Sequence, residues 1–225
     1  MGLRELKRER TRQLIADVAG RLFAERGFDR VSVAQVAREA QVAEATVFNY
    51  FASKEDLFYS RLETFETGLV EAIKARGPGE PVATAFRRYL LQAGGLLAQV
   101  EAGDADALER LRTMNRVISA SPALLAREQQ VIASATAAVA ALLAAEQSLA
   151  DRTSGGSGKP SPAEDVGARV AANALMGVHR ALIDYVRRRV LSDEEPGRLA
   201  AEVADRAADA FDLLDRGFRD YAPGK

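Results

Sequence analysis

Residues 32–53 decide the fold, and they read SVAQVAREAQVAEATVFNYFAS. Ser32 is a suitable N-cap for a first short helix, and Gln35 stands at the reciprocal position of a capping box. Only residues 41–43 separate this helix from a second one, which the apolar spacing predicts over residues 44–50. Two short helices joined by a three-residue turn favour a helix-turn-helix, whose second helix enters the major groove of DNA.

A third helix is predicted to begin directly afterwards. Ser53 can cap it, and Asp56 stands at the reciprocal capping position. Lys54 is unusual here, because a cation in the first turn opposes the helix macrodipole. A DNA phosphate would compensate it, since phosphate satisfies both the ammonium and the free amides of a helix start. The alternative is a solvated lysine.

The segment before the helix-turn-helix predicts a supporting helix. Its apolar stripe ends at Gly27, a plausible C-cap, and Phe28 then covers a small core. Residues 4–12, which we call the N-terminal arm, carry a net charge of +3. Such an arm, with Arg8 at its centre, can contact phosphates or enter a minor groove, and a frayed solvated helix is the alternative. The stripe consists of Leu14, Ile15, Val18, Ala19, Leu22 and Phe23.

Four segments within residues 8–58 resemble the TetR family of bacterial transcriptional regulators. The resemblance covers roughly the first quarter of the chain. It implies a cytoplasmic, all-α homodimer whose N-terminal domains bind a short palindromic operator and whose C-terminal domains bind a small effector. The four segments are Ile15–Phe28, Val31–Ala37, Thr46–Phe51 and Ser53–Leu57.

The resemblance also implies which side chains contact DNA. It puts Thr46, Tyr50 and Lys54 where family members contact phosphates. Base contacts would then come from exposed positions around the start of the second helix. A side-chain amide can pair with adenine, a carboxylate can accept a hydrogen bond from the amine of cytosine, and a methyl group can contact the methyl group of thymine. Glu44 has an alternative role, since an acid in a first turn also stabilises its own helix. The candidate base-contacting residues are Gln41, Ala43, Glu44, Ala45 and Asn49.

Three positions depart from the family pattern. Gln41 replaces the usual glycine of the turn, and Ala43 replaces a serine that would cap the second helix. Each replacement is expected to cost about 1 kcal/mol if the geometry is kept. Phe48 stands where a tyrosine is frequent. It lacks a hydroxyl for the DNA backbone, and we expect it to pack in the core.

Composition narrows the class of protein. Residues 1–60 carry a net charge of only +1, so DNA affinity must come from the local placement of cations. The absence of cysteine excludes disulfides, thiol catalysis and cysteine redox sensing. The N-terminus lacks an apolar signal segment, and we expect no run long enough to span a bilayer, which predicts a soluble cytoplasmic protein without membrane contact.

The chain is expected to form two domains. Residues 1–58 make the DNA-binding domain, and residues 59–225 make a helical ligand-binding and dimerisation domain. One helix from Ser53 to about Ala75 is predicted to link them, and residues 151–165 have the composition of a flexible loop. Two C-terminal helices, roughly 165–191 and 194–219, are apolar over so broad an arc that each must meet neighbours on two sides. Paired with a second copy, they would form a four-helix dimer interface.

The effector site is predicted only as a set of candidates in the helical domain. His179 is the only histidine, and it suits either a polar contact in a ligand cavity or a satisfied core or interface position. Aromatic and methionine residues at helical spacing are equally typical of an ordinary core. The candidates are Phe65, Phe86, Tyr89, Met114, Asn115, Met176 and His179.

These features favour an all-α, ligand-responsive transcriptional regulator, most often a repressor in the family that the chain resembles. No cofactor or metal is expected. The first alternative is an enzyme on a helical bundle, which no metal-binding spacing, catalytic triad or dinucleotide fingerprint supports. The second is a helical interaction or scaffold protein that retains a helix-turn-helix without using it.

Overall fold

The computed structural model describes residues 2–60, 64–92, 99, 104, 106–153, 162–192 and 198–217. Every regular element within them is a helix, which confirms the all-α prediction. The helices are α1 (Leu3–Arg26), α2 (Val33–Glu39), α3 (Glu44–Tyr50), α4 (Lys54–Tyr59), α5 (Thr64–Lys74), α6 (Val82–Gln92), α7 (Ala107–Ser119), α8 (Pro122–Thr153), α9 (Pro162–Leu191) and α10 (Leu199–Arg216).

The chain divides into two compact units. The first unit comprises Met1–Phe65 and Thr113–Glu128, and the second comprises Glu66–Arg112 and Gln129–Lys225. The sequence predicts a boundary near residue 58, so the segment Thr113–Glu128 is the main difference. Local sequence patterns cannot reveal it, because its place depends on packing against residues far away in the chain.

The core of the first unit surrounds the C-terminal half of α1. The rings of Phe23, Phe28 and Phe58 lie 5.1 to 5.9 Å apart between centroids, in tilted and edge-to-face pairs that aromatic rings prefer. Gly27 ends α1 with φ of +81°, and its amide donates to the carbonyl of Phe23, so the predicted C-cap is confirmed. Leu14 is 49% exposed, so its predicted place in the apolar stripe is wrong.

The segment Thr113–Glu128 is fixed to the first unit by apolar and polar contacts. Leu124 is fully buried in the core, and its carbonyl accepts a hydrogen bond of 3.0 Å from the Tyr59 hydroxyl. The Ser121 hydroxyl donates to Asp29 over 2.9 Å. This Ser121 hydroxyl is buried, and pairing it avoids the cost of an unsatisfied polar group.

The second unit is organised around α9 and α10, which pack against each other and against α6. Phe86 of α6 is fully buried, with its ring 6.2 Å from that of Phe211 in α10. Glu202 of α10 accepts hydrogen bonds from Tyr185 and Arg189 of α9, and these bonds lower the pKa of its carboxyl group. The two predicted C-terminal helices therefore exist and pack as a pair.

Two predicted segments differ in their limits. The helix predicted from Ser53 to about Ala75 is described as α4 and α5, and residues 61–63 between them lie outside the described residues. Residues 151–153 and 162–165 of the predicted loop are helical, because α8 continues to Thr153 and α9 begins at Pro162. Residues 154–161 lie outside the described residues.

The expectation that no run could span a bilayer is wrong for the segment Pro122–Ser148. These 27 residues have a mean hydropathy of 1.4 over an 18-residue window, so they are long and apolar enough by length and composition. Alanine supplies much of this apolar character. A core helix of a soluble protein has the same composition, and the first residues of this helix belong to the core of the first unit.

Candidate nucleic-acid interface

The start of α2 is held by the predicted capping box. The Ser32 hydroxyl accepts a hydrogen bond from the Gln35 amide over 3.2 Å, and the Gln35 side-chain oxygen accepts from the Ser32 amide over 2.8 Å. Two amides that have no partner within the helix are thereby satisfied. Val36 and Ala37 are buried and fix the other face of α2 against α1.

The turn between α2 and α3 has left-handed backbone geometry at Gln41, which replaces the usual glycine and whose φ is +55°. The Gln41 amide donates to the carbonyl of Arg38, and the Val42 amide donates to that of Ala37. These two bonds form a Schellman motif, in which glycine usually occupies the left-handed position. Glutamine accepts that conformation at a cost of about 1 kcal/mol, and its side chain is exposed beside α3.

The start of α3 is not capped by a side chain. Ala43 has the extended backbone of an N-cap, with ψ of 147°, and its methyl group offers no acceptor. The predicted loss of a cap at this position is therefore confirmed. Glu44, exposed in the first turn, places a negative charge near the positive end of the helix.

Helix α3 has one buried side and a broad exposed side. Val47 and Phe51 are 1% and 3% exposed, and they attach the helix to the core of the first unit. Thr46 and Tyr50 are partly buried at the edge between the two sides. The exposed side carries Ala43, Glu44, Ala45, Phe48 and Asn49, with Gln41 next to them in the turn.

Phe48 corrects a sequence prediction, because it is 50% exposed and does not pack in the core. Each residue of an α-helix advances by about 100° around the axis, so Phe48 points about 80° away from the mean direction of Val47 and Phe51 and lies beside the buried side. The exposed side of α3 therefore includes an aromatic group that the sequence analysis assigned to the interior.

Lys54 makes contacts that neither interpretation of the sequence anticipated. Its ammonium donates to the carbonyls of Phe28 and Val31 over 3.1 and 3.2 Å, and it lies 4.0 Å from the centroid of the Phe28 ring. Two carbonyl dipoles and an aromatic face compensate the cation at the start of α4. Lys54 thus ties α4 to the turn between α1 and α2. An ammonium has three N–H groups, so one remains for an anion.

Of the two hydrogen bonds predicted for the capping box of α4, only the one accepted by Ser53 is confirmed. The Ser53 hydroxyl accepts from the Asp56 amide over 3.0 Å, as predicted. The Asp56 carboxylate does not complete a reciprocal box, because it lies 2.7 Å from the Arg127 guanidinium at the start of α8. This ion pair adds to the contacts that hold the segment Thr113–Glu128 to the first unit.

The N-terminal arm forms the beginning of α1, which starts at Leu3. The Glu5 carboxylate accepts a hydrogen bond from the amide of Gly2 over 2.8 Å and so completes the helix start. Arg8 is exposed on this helix. Arg12, which the sequence analysis did not single out, has its guanidinium 5.3 Å from the centroid of the Phe51 ring, next to the end of α3. Only the packing of α1 against residues near 51 reveals this proximity.

The effector candidates do not fall in one compact unit. Asn115 is buried and Met114 is partly buried in the first unit, with Met114 packed against its core. Phe86, Tyr89, Met176 and His179 belong to the second unit. The side chain of Phe65 lies outside the described residues. The set therefore contains two residues that help to build the helix-turn-helix unit.

Within the second unit, burial shifts the pKa values of two candidate residues, His179 and Tyr89. It lowers the pKa of His179 to about 4, which keeps the imidazole neutral at physiological pH. It also raises the pKa of the Tyr89 phenol. A Cβ at Gly68 would lie 2.6 Å from the Tyr89 hydroxyl oxygen, so glycine allows α5 and α6 to approach closely at this point. Among the residues that the structure describes, no cluster of three or more acidic or histidine residues is arranged to hold a metal ion.

Comparison with known proteins assigns the helix-turn-helix to a family. Residues 15–60 match the family of bacterial regulatory proteins described as the tetR family. The transcriptional regulator TcmR of Streptomyces glaucescens is 29% identical over 131 residues, which cover 56% of this chain and 55% of TcmR. The regulator AcrR of Shigella flexneri is 35% identical over 78 residues, which cover 33% of this chain and 36% of AcrR. The chain thus spans about half and about a third of these relatives.

A solved structure extends the likeness of fold beyond the helix-turn-helix. The crystal structure of NalD, the secondary repressor of the MexAB-OprM multidrug efflux pump in Pseudomonas aeruginosa, has a TM-score of 0.50 and a sequence identity of 20%. The match covers 90% of this chain and 95% of NalD. At this identity, the comparison concerns the arrangement of the helices.

Proposed function

Because this chain belongs to the TetR family of bacterial regulatory proteins through its N-terminal domain, we propose that it is a DNA-binding transcriptional regulator. It acts as a repressor that a small-molecule effector releases from a palindromic operator, in the bacterial cytoplasm. The observation that carries the proposal is the exposed side of α3, which follows a capped α2 and a Schellman turn. A helix presented in this way fits the major groove.

The proposed DNA contacts fall into two kinds. Thr46 and Tyr50, at the edge of α3, reach phosphates, as do Arg8 on α1 and the third N–H of Lys54. Base contacts come from Gln41, Glu44, Ala45 and Asn49, which are all exposed. Phosphate contacts fix the orientation of a protein on DNA, whereas contacts to base edges give specificity.

Glu44 keeps two proposed roles that support each other. Ala43 leaves the start of α3 without a side-chain cap, so the Glu44 carboxylate compensates part of the helix dipole in the free protein. In the complex it can accept from the amine of a cytosine. An acid on this side also repels phosphates, which disfavours non-specific contacts along the DNA backbone.

A homodimer is proposed through α9 and α10. Val166 and Val170 of α9 are 58% and 63% exposed in the single chain, although both are apolar. A second copy, packed on the same helices by two-fold symmetry, would cover them. The two α3 helices would then address two half-sites about one DNA turn apart.

Effector binding is proposed for the second unit, where Phe86, Tyr89, Met176 and His179 supply aromatic, thioether and imidazole groups. Helices α7 and α8 each contribute residues to both units, because the first unit contains Thr113–Glu128. A shift of these helices on effector binding would change the geometry of the helix-turn-helix. A coupling free energy of about 1–3 kcal/mol is typical of such regulation.

The test is selection of binding sequences from a pool of random double-stranded DNA, followed by fluorescence-anisotropy titration of the selected duplex. We expect a palindromic sequence bound at least about a thousand-fold more tightly than random DNA. Tyr50→Phe should weaken binding by removing one phosphate contact while leaving the selected sequence unchanged. Failure to enrich any sequence, with equal affinity for all duplexes, would contradict the proposal and favour a scaffold role.

Salt dependence separates the phosphate contacts from the base contacts. Each cation that neutralises a phosphate adds about 0.9 to the slope of log affinity against log salt concentration. Arg8→Gln should therefore reduce this slope by about one unit per protomer, whereas Asn49→Ala should leave it unchanged. A slope near zero in the wild type would exclude phosphate-based binding.

A further inference from the structure

The exposed ring of Phe48 is the feature of α3 that phosphate contacts and polar base contacts do not use. It is 50% exposed, and Ala45, three residues earlier on the same side of the helix, is exposed as well. Residues three apart on a helix are neighbours on its surface. Together they form an apolar strip between the polar groups of Glu44 and Asn49.

The chemistry of this strip limits what it can recognise. A phenyl ring and a methyl group neither donate nor accept conventional hydrogen bonds, so they cannot distinguish bases by polar groups. The only apolar group on the major-groove edge of DNA is the C5 methyl of thymine, which alanine and phenylalanine are known to contact. The hydroxyl that a tyrosine would offer to a phosphate is absent.

We infer that Phe48 recognises a thymine methyl group in the major groove, with Ala45 forming the surface beside it. The inference rests on the proposed DNA-binding function and adds a determinant of specificity. Each half-site then contains a thymine at a fixed distance from the centre of the operator. Phe48 distinguishes this thymine from cytosine by the C5 methyl, which cytosine lacks.

Single-base analogues in the DNA test this inference directly. The probe is the duplex that the wild-type protein selects from random DNA, resynthesised with deoxyuridine in place of one thymine per half-site at a time. Uracil differs from thymine only by the missing methyl group and keeps the same pairing. At one position we expect affinity to fall about four-fold per half-site, which is the effect of removing one buried methyl group. 5-Bromodeoxyuridine, whose bromine has nearly the size of a methyl group, should restore binding there.

Two variants connect the effect to Phe48. Phe48→Ala should bind the thymine and uracil duplexes equally, because the group that detects the methyl has been removed. Leu14→Ala is the matched control, since Leu14 is also apolar, 49% exposed and part of the first unit. It should retain the preference for thymine. Both variants should unfold at nearly the wild-type denaturant concentration, because neither side chain is buried.

The outcomes separate this inference from the proposed function. If no sequence is selected, the proposed function fails. If a sequence is selected but no replacement of thymine by uracil weakens binding, the inference about Phe48 is overturned while the function stands. It is also overturned if Phe48→Ala keeps the wild-type preference for thymine at the sensitive position.

Discussion

The two compact units are stabilised in different ways. In the first unit, the three short helices α2, α3 and α4 are fixed by specific contacts at their ends: the capping box at Ser32, the Schellman turn at Gln41 and the ammonium of Lys54. In the second unit, the long helices α9 and α10 pack against each other, and the ion pair Arg189–Glu202 joins them. Short helices gain little from propensity alone, so their ends and tertiary contacts decide whether they form.

This difference explains where each unit can present a function. Because the helix ends hold α2 and α3 in place, most side chains on the exposed sides of these helices are not needed for folding. These side chains can therefore differ according to the DNA sequence that is bound. Packing of α9 against α6 and α10 leaves apolar residues such as Val170 exposed, where a second copy can cover them. In the first unit, single hydrogen bonds at helix ends therefore matter as much as its core, whereas in the second unit the apolar surface of long helices matters more.

The largest expected effect comes from placing a charge on that apolar side. Val170→Glu would bury a carboxylate in the proposed dimer interface, which costs several kcal/mol and should give a monomer. Loss of the second recognition helix should lower operator affinity by about 100-fold or more. Sedimentation velocity and anisotropy measure the two effects. Val170→Thr, which keeps the shape, should remain dimeric, and a dimeric Val170→Glu would show that the interface lies elsewhere.

Lys54→Met is expected to have the next largest effect. It removes two hydrogen bonds to partly buried carbonyls and one cation–π contact, so the free energy of unfolding should fall by about 2 kcal/mol. Lys74→Met is the control from the second unit, where the ammonium makes one exposed ion pair with Glu71. It should change stability by less than about 0.5 kcal/mol in urea unfolding. Equal losses for both variants would refute the role of Lys54 as a brace.

Acid should lower the free energy of unfolding mainly through His179, which lies in the second unit. Its pKa of about 4 in the folded state lies below the ordinary 6.5, so the unfolded chain binds a proton over a range of pH in which the folded chain does not. Stability is therefore fully present above about pH 6.5 and is lost as the pH falls toward 4. We expect a loss of about 2 kcal/mol between pH 7 and pH 5. His179→Gln should flatten this profile, and an unchanged profile would show that other groups cause it.

The smallest effects compare α2 and α3, which have the same length but different starts. Ser32→Ala should destabilise the protein by about 1 kcal/mol, because it removes the cap of α2. Ala43→Ser should stabilise it by about 0.5–1 kcal/mol, because it supplies the cap that α3 lacks. Urea unfolding of the two variants measures both changes. Changes of the same sign would contradict the contrast between the two helix starts.

Much of the first unit could be predicted because its signals are local. A capping box spans four residues and a left-handed turn involves one, so Ser32, Gln35 and Gln41 could be identified from the sequence. The exposure of Phe48 could not be predicted, because burial in a short helix depends on which side meets its neighbours, and α3 packs chiefly against α2. The contacts of Lys54 and Arg12 also escaped prediction, since their partners lie many residues away. The place of Thr113–Glu128 in the first unit was hidden for the same reason.

The second unit was predictable only in outline. The apolar periodicity of residues 165–219 predicted two packed helices, and α9 and α10 agree with it. The effector candidates were chosen by residue type, which does not distinguish a cavity wall from a core. Met114 illustrates this, because it packs against the core of the helix-turn-helix unit.

The central claim is that the exposed side of α3 distinguishes one DNA sequence from another while phosphate contacts supply the remaining affinity. Its most direct test is the ratio of specific to non-specific affinity, measured by anisotropy for the wild type and for the triple variant Glu44→Ala, Phe48→Ala and Asn49→Ala. We predict a wild-type ratio of at least about a thousand, falling at least about ten-fold in the variant, while the non-specific affinity is unchanged or higher because the Glu44 carboxylate no longer repels phosphates. A triple variant that retains the wild-type ratio would contradict the claim.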